Sequence, residues 1–212
     1  MARPSFSKGF GVSPEVYRAF ERLIQEMGLS RSVLEVGAVP GPGNLLEMEI
    51  LRKVPEKIGL NLEKASSGEG WRILQGDAHC MAQFADNQFE AVLCNSTLEH
   101  DPLFWKTISE MMRVTAPGGW VVIGVPGFYG MGLDSLFPRR SMIKAVVRFW
   151  TRVTGSEFLN AGALTLGEHR FPGDYYRFTE QAMREVLLGG LKEIRVFKVM
   201  NPPRIIGVGR KG

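Results

Sequence analysis

The sequence contains little cysteine and little histidine, and neither residue type is clustered. Its 212 residues include 2 cysteines, Cys80 and Cys94, and 3 histidines, without the regular ligand spacing that a zinc site requires. We therefore expect no bound metal. We also expect both cysteines to be reduced thiols, as is usual in cytoplasmic proteins.

Long apolar runs and a strong charge imbalance are absent as well. No apolar stretch reaches the roughly 18 residues that identify a transmembrane helix, and the N-terminus lacks the apolar core of a signal peptide. The 26 basic and 22 acidic residues give a formal charge of +4, which suits an anionic substrate without requiring one. We expect a cytoplasmic protein that binds no nucleic acid.

The apolar content is sufficient for one domain. Hydrophobic residues make up 44% of the chain, so residues 1–212 can form a single domain with a substantial core. Residues 1–30 predict an irregular arm followed by a helix. Ser13 is the predicted N-cap, Pro14 lies in the first turn, and Gly28 ends the helix.

Residues 33–44, VLEVGAVPGPGN, organise the rest of the chain. Their apolar beginning suits a buried central strand, and the glycines that follow permit the close backbone approach that a nucleotide-like ligand needs. Asn44 can cap a helix that we expect to end near Lys53. Strand, glycine turn and helix are typical of the first half of a nucleotide-binding βαβ unit.

The position of Glu35 separates two cofactors. In a dinucleotide fingerprint the key acid lies about 20 residues beyond the glycines, whereas Glu35 stands two places before the first glycine, Gly37. This pattern resembles motif I of the class I S-adenosylmethionine-dependent methyltransferases, with Val39 in place of one family glycine. A nicotinamide-dependent oxidoreductase is less favoured, because no acid ends the second predicted strand.

Two further blocks resemble the same family. Residues 75–99, QGDAHCMAQFADNQFEAVLCNSTLE, are similar to the segment around its third and fourth strands. Residues 113–126, RVTAPGGWVVIGVP, are similar to its Pro-Gly-Gly turn and fifth strand. The order of these blocks resembles the ubiquinone-biosynthesis-like branch, type 11.

The resemblance implies a fold and a cofactor. The fold is α/β, a three-layer Rossmann-like arrangement with a seven-stranded, mostly parallel sheet. The cofactor is S-adenosylmethionine, which becomes S-adenosylhomocysteine. Only a short polar stretch separates the predicted strands at 57–62 and 71–74, so we expect the crossover helix between them to be lost or reduced to a turn.

The resemblance also implies where the cofactor binds. Asp77 can accept a hydrogen bond from the adenine amino group, and the Ala78 N–H can donate to the ring. Asn61 stands where the family has a ribose-binding acid, with Glu63 as a substitute nearby. The predicted cofactor-binding residues are Glu35, Gly37, Ala38, Gly41, Asn61, Leu62, Asp77, Ala78, Asn95 and Ser96.

Residues 127–178 lie between the fifth strand and the last large helix, and they predict an inserted cap over the substrate. Within them, residues 139–153 predict a helix with a basic residue at every fourth position: Arg140, Lys144, Arg148 and Arg152. Such a stripe can meet an anionic or membrane-associated acceptor, or it is an ordinary solvated helix face.

The predicted substrate-binding residues are Tyr175, Tyr176 and Arg177, in a segment, GEHRFPGDYYRFT, that resembles one found in some members of the branch. Methyl transfer from a sulfonium is a direct displacement, so the protein must chiefly align the methyl group with the acceptor and exclude water. A hydroxyl acceptor would benefit from a base, and His100 and His169 are the candidates.

The sequence therefore predicts a methyltransferase that acts on a small molecule or on a glycan- or lipid-linked acceptor. A second hypothesis is a methyltransferase-like domain that has lost its cofactor. Val39, Asn61 and the missing crossover helix motivate this alternative. The oligomeric state is left open.

Overall fold

The structure, a computed structural model, describes residues 12–41, 44–130, 141–155, 163–167 and 173–212. The predicted N-terminal arm lies mostly outside these residues. So do His169, Arg139 and Arg140.

Ten strands are described, and eight of them form one sheet. The strands are β1 (Ser32–Val36), β2 (Glu56–Asn61), β3 (Ser66–Gly68), β4 (Trp71–Gln75), β5 (Phe89–Asn95), β6 (Thr115–Pro126), β7 (Phe128–Gly130), β8 (Ala163–Thr165), β9 (Lys192–Val199) and β10 (Arg204–Arg210). The order in the large sheet is β3-β4-β2-β1-β5-β6-β10-β9, and β7 pairs with β8.

The large sheet confirms the predicted class I methyltransferase fold. β4, β2, β1, β5 and β6 are parallel neighbours. β10 is antiparallel to both β6 and β9, and it closes the sheet as the predicted hairpin-like pair. The seven predicted strands are all present, and β3 is an eighth.

The described helices are α1 (Pro14–Met27), α2 (Phe104–Val114), α3 (Ser141–Thr154) and α4 (Glu180–Ala182), which continues as a π-helix over Met183–Leu187. The predicted ends of α1 are confirmed, because the Ser13 hydroxyl accepts from the Val16 N–H at 3.3 Å and Gly28 is left-handed, with a φ of 61°. Thr179 caps α4 as predicted. None of the described helices is both long and apolar enough to cross a bilayer.

The prediction of a helix after Asn44 is wrong. Asn44 does cap, since its Oδ1 accepts from the Leu46 N–H at 3.0 Å, but two short 3₁₀ turns follow, Leu45–Glu47 and Glu49–Leu51. Between them Met48 is extended, with φ −56° and ψ 130°. The buried residues are Leu45, Leu46, Met48 and Leu51. In one α-helix they would point in nearly all directions, so breaking the helix lets all four enter the core.

The predicted loss of the crossover helix is confirmed. The short strand β3 takes its place at the edge of the sheet, antiparallel to β4. A side chain at Gly68 would overlap the indole of Trp71, and the Trp71 ring nitrogen donates to Glu47 Oε1 at 3.1 Å. The indole thus covers part of this edge.

Two apolar clusters cover the two faces of the sheet. On β1, Leu34 and Val36 belong to the cluster that includes residues of α2, and Val33 belongs to the cluster that includes residues of α1. Because strand side chains alternate between faces, Glu35 lies on the α1 face with Val33. Because β1, β2, β4 and β5 are parallel, their carboxyl ends lie at one edge of the sheet.

Candidate functional site

The carboxyl ends of the parallel strands line a cleft of about 490 Å³. The residues lining it come from four segments of the chain, one after each of β1, β2, β4 and β5. Those used below are Gly37, Val39, Asn61, Leu62, Glu63, Asp77, Ala78, His79, Ser96, Thr97, His100, Asp101 and Thr107. Open α/β sheets bind ligands at this edge.

Most of the predicted site residues come together here. Those lining the cleft are Gly37, Asn61, Leu62, Asp77, Ala78, Ser96 and His100. Ala38 instead lines an adjoining hollow of about 540 Å³, which it shares with Asn61 and Glu63. Glu35 and Asn95 are buried beneath the edge, and Gly41 lies further along the glycine loop.

The turn after β1 requires glycine at its first position. Gly37 has a φ of 80°, and a side chain there would overlap the Thr97 hydroxyl. The N–H groups of Gly37 and Ala38 both donate to the Leu60 carbonyl, at 2.8 and 3.2 Å. Val39 is 49% exposed at the mouth of the cleft, so its side chain leaves the interior of the cleft open.

Glu35 is buried beneath the glycine turn that follows β1. Burial raises the pKa of its carboxyl to about 8, although the backbone N–H groups of Leu45 and Leu46 face it and counteract the rise. Its Oε2 has no hydrogen-bond partner among the described residues. Glu35 therefore connects β1 with the first 3₁₀ turn and holds the base of the glycine loop.

Asn61 joins two loops of the cleft. Its Nδ2 donates to the Ala38 carbonyl at 2.6 Å, and its Oδ1 accepts from the Glu63 N–H at 3.1 Å. Both ends of the amide are thus engaged within the protein. The carboxylate that lines this part of the cleft belongs to Glu63.

His79 and Asp101 connect the loops after β4 and β5. His79 Nε2 lies 2.7 Å from Asp101 Oδ1, and its Nδ1 lies 3.4 Å from Asp77 Oδ1. Asp101 is buried and also accepts from the Leu103 N–H at 2.8 Å and the Thr107 hydroxyl at 2.7 Å. Sequence reasoning did not single out Asp101 as a site residue, although an acid just before a helix is a usual capping signal.

Arg204 brings a buried cation to the same edge. Its Nη2 donates to Ser96 Oγ at 2.6 Å and Asn95 Oδ1 at 3.3 Å, and its Nη1 lies 3.4 Å from Glu99 Oε1. Burial lowers the pKa of this guanidinium, and Glu99 opposes the change. Sequence reasoning missed Arg204. The sequence feature that could have identified it is its position at the start of the predicted last strand. An antiparallel strand begins at the edge where the parallel strands end.

The predicted substrate-binding residues lie beside the cleft and do not line it. The N–H groups of Tyr175 and Tyr176 both donate to the Glu99 carbonyl, at 2.8 and 3.2 Å. The Tyr176 hydroxyl donates to the Pro102 carbonyl at 3.1 Å, and Arg177 pairs with Asp174 at 2.7 Å. These contacts fasten residues 174–178 next to Glu99.

No group of three potential metal ligands occurs within the described parts of the chain. The absence of a metal stays a prediction.

Residues 41–123 match a family model described as a methyltransferase domain, type 11. The match covers less than half of the chain, and it shows that this region is similar to type 11 methyltransferase domains. Over 105 residues it is 30% identical to proteins described as uncharacterized methyltransferases from Mycobacterium sp. strains KMS, JLS and MCS. This alignment covers 47% of the chain and 40% of each relative, so the matched region spans less than half of those proteins.

Solved methyltransferase structures share the fold of the chain. The 1,6-didemethyltoxoflavin N1-methyltransferase of Burkholderia thailandensis, with bound 1,6-didemethyltoxoflavin and S-adenosylhomocysteine, gives a TM-score of 0.60 at 16% identity, over 92% of this chain and 77% of that one. A methyltransferase from Archaeoglobus fulgidus gives 0.57 at 14% identity, over 92% and 93%. A Haemonchus contortus phosphoethanolamine N-methyltransferase gives 0.60 at 14% identity, over 92% and 52%.

Proposed function

We propose that the chain is an S-adenosylmethionine-dependent methyltransferase acting on a small-molecule acceptor or on a glycan- or lipid-linked one. One observation carries the proposal. The cleft joins the four segments that the family resemblance implies: the glycine turn, residues 61–63, residues 77–78 and the segment after β5. A cradle that only glycine permits, at Gly37, suits the close approach of a ligand to the backbone.

The residues present fit the cofactor. The Asp77 side chain is 55% exposed. We assign its carboxylate to the adenine amino group and the Ala78 N–H to the adenine ring. Glu63 supplies a carboxylate for the ribose hydroxyls in place of the amide of Asn61. When bound, S-adenosylmethionine supplies an electrophilic methyl group on its sulfonium.

The protein's own contribution is alignment. Gly37, Ser96 and His100 line the cleft, and we assign them to the part where the acceptor meets the methyl group. With a hydroxyl acceptor, we assign His100 to take up the acceptor proton. His169, the other candidate, lies outside the described residues.

Two enzymes with the same fold support a small-molecule acceptor. The Burkholderia enzyme is named for methylating 1,6-didemethyltoxoflavin, and the Haemonchus enzyme is named for phosphoethanolamine. Residues 127–178 then serve as the substrate cap, with Tyr175, Tyr176 and Arg177 at its border. The cytoplasm stays the predicted compartment, because both cysteines are free thiols.

The second candidate is a domain that has lost the cofactor. Its best support is that Asn61 uses both ends of its amide within the protein. Glu63 and the outward position of Val39 weigh against it. An oxidoreductase has no such support, because no carboxylate ends β2.

Titration calorimetry and thermal shift with S-adenosylmethionine, S-adenosylhomocysteine and NADH test the proposal. At about 100 times its dissociation constant a ligand stabilises the native state by roughly 2.7 kcal/mol. We expect such a shift with the two sulfur nucleotides and none with NADH. Asp77→Asn should reduce the shift, whereas the distant exposed variant Asp86→Asn should retain it. No shift with any ligand would favour the cofactor-free domain.

A further inference from the structure

α3 presents a continuous apolar stripe to solvent. Val146, Phe149, Trp150 and Val153 are exposed by 65%, 68%, 57% and 67% of their surface. Their spacing of three, four and seven residues places them along one side of the helix. Single exposed apolar residues are ordinary, but a contiguous stripe of four large side chains identifies an interaction surface.

The charge of this segment restricts what can cover the stripe. Residues 139–154 contain five basic residues and no acidic one: Arg139, Arg140, Lys144, Arg148 and Arg152. Arg152 is exposed, as is every other α3 side chain that the structure describes. A spacing of four residues places most of these charges on a different side of the helix from the stripe, and a helix with one apolar and one basic side is typical of those that lie in an anionic surface. An occupant that uses both sides is therefore apolar and anionic.

A second copy of the chain fits these requirements poorly. Two α3 helices packed stripe against stripe would cover the apolar residues, but they would bring no acidic residue to the basic side of either helix. An anionic bilayer fits both, because acyl chains accept the apolar stripe while acidic headgroups attract the basic residues. Trp150 strengthens this assignment, because indole rings favour the membrane interface.

The strands that flank α3 are anchored near the cleft. β7 directly follows β6, and β8 pairs with β7. The Thr165 hydroxyl donates to the Gly127 carbonyl at 2.7 Å, and Arg177 donates to the Leu166 carbonyl at 3.3 Å. In the sequence α3 thus stands between two strands, β7 and β8, that are anchored where β6 ends.

We propose that α3 binds the surface of an anionic membrane, lying in its plane, and so brings the cleft to an acceptor held in the bilayer. The docking itself is independent of methyl transfer. The identity of the acceptor as a lipid or lipid-linked molecule rests on the proposed function.

Co-flotation of the full chain with vesicles tests the docking. One set of vesicles contains phosphatidylcholine alone, and the other contains phosphatidylcholine and phosphatidylglycerol in equal parts. We expect binding to the anionic vesicles to be stronger by about tenfold or more. Raising the salt from about 0.05 M to about 0.5 M should weaken it, because exposed charges are then screened.

Substitutions on α3, compared with the same substitutions at exposed residues elsewhere, test whether α3 is the membrane-binding surface. Phe149→Ser with Trp150→Ser should abolish vesicle binding, whereas Trp105→Ser, which changes an exposed tryptophan on α2, should retain it. Arg152→Glu should weaken binding more than Lys53→Glu, another exposed cation. All variants should keep the thermal shift with S-adenosylhomocysteine if the wild type shows one, so a defect in the cofactor site is distinguished from a defect in docking.

Three outcomes would overturn the proposal. They are equal binding to both vesicle types, unchanged binding of the double serine variant, and no vesicle binding combined with a dimer that the double variant dissociates. The last result, measured by analytical ultracentrifugation, would assign the stripe to a second copy.

Discussion

Glu35 is a buried acid whose ionisation is coupled to folding. Its pKa rises from 4.5 to about 8, because burial removes the carboxyl from water. The native state therefore holds a proton that the unfolded chain releases between those two values. The stabilisation is fully present below about pH 4.5 and is lost as the pH rises through 8.

We expect the free energy of unfolding to fall between pH 5 and pH 8, with a slope approaching about 1.4 kcal/mol per pH unit from this residue. Glu35→Gln removes the titration and should flatten the curve, most visibly by raising stability at pH 8. Urea unfolding at several pH values measures the effect, with Glu49→Gln as the exposed control. Equal slopes for wild type and Glu35→Gln would show that Glu35 ionises normally.

Two glycines in the loop after β1 allow the cost of backbone strain to be measured separately from the cost of steric overlap. Gly37 and Gly41 both have positive φ, 80° and 109°, but a side chain would overlap Thr97 only at Gly37. Gly41→Ala should cost about 1–2 kcal/mol from backbone strain alone. Gly37→Ala should cost about 1–3 kcal/mol more and reduce cofactor affinity. Urea unfolding and calorimetry check both, and equal costs would contradict the assigned overlap.

We propose Glu63 as the ribose ligand in place of the predicted Asn61. Its side chain is exposed, so substituting it should change binding without changing stability. A hydrogen bond to a charged group contributes about 1.5–3 kcal/mol, so Glu63→Gln should weaken S-adenosylhomocysteine by roughly tenfold or more without affecting stability. Glu69→Gln, exposed in the turn between β3 and β4, should bind normally. Unchanged affinity in Glu63→Gln would return the ribose to Asn61.

At the level of elements, the loops after β4 and β5 are connected through Asp101. This buried carboxylate accepts from the Leu103 N–H and the Thr107 hydroxyl and meets His79. Asp101→Asn keeps the shape but replaces one acceptor by a donor, so buried donors lose their partner. We expect a loss of about 2–4 kcal/mol in urea unfolding. Asp86→Asn, at an exposed ion pair, should cost less than about 1 kcal/mol.

His79→Ala tests the His79 contact of Asp101 separately from the bonds that Asp101 accepts from Leu103 and Thr107. It removes the contact across the cleft but leaves Asp101 with its other two donors, so its cost should be well below that of Asp101→Asn. A larger cost for His79→Ala would mean that the histidine, and not the carboxylate, organises the loops.

The strands were predictable because each is an apolar run bounded by turn residues, as in residues 89–95. The proposed cofactor-binding positions followed from short motifs whose order resembles a family. The helix after Asn44 was not predictable, since its apolar residues have no single-face period and tertiary burial decides their conformation. Arg204 escaped notice because its partners lie about a hundred residues earlier in the chain.

Across the whole molecule, Arg204 and Glu99 connect the end of the chain to its centre. Glu99 is fully buried, its carbonyl accepts from Tyr175 and Tyr176, and its carboxylate meets the Arg204 guanidinium. Neither Glu99 Oε2 nor Arg204 Nε has a partner among the described residues. The pair therefore sits where residues 174–178, the sheet and the cleft meet. Its cost in desolvation is offset by mutual attraction and by the hydrogen bonds of Arg204 to Ser96 and Asn95.

A double-mutant cycle tests that coupling. Arg204→Met leaves Glu99 buried without its cation and should cost about 3–5 kcal/mol in urea unfolding, as should Glu99→Leu. The double variant should cost much less than the sum, because two apolar side chains replace two opposed charges. Arg195→Met with Glu26→Leu, at an exposed pair, should show a coupling below about 1 kcal/mol. Simple additivity at Arg204 and Glu99 would mean that the two groups do not depend on each other.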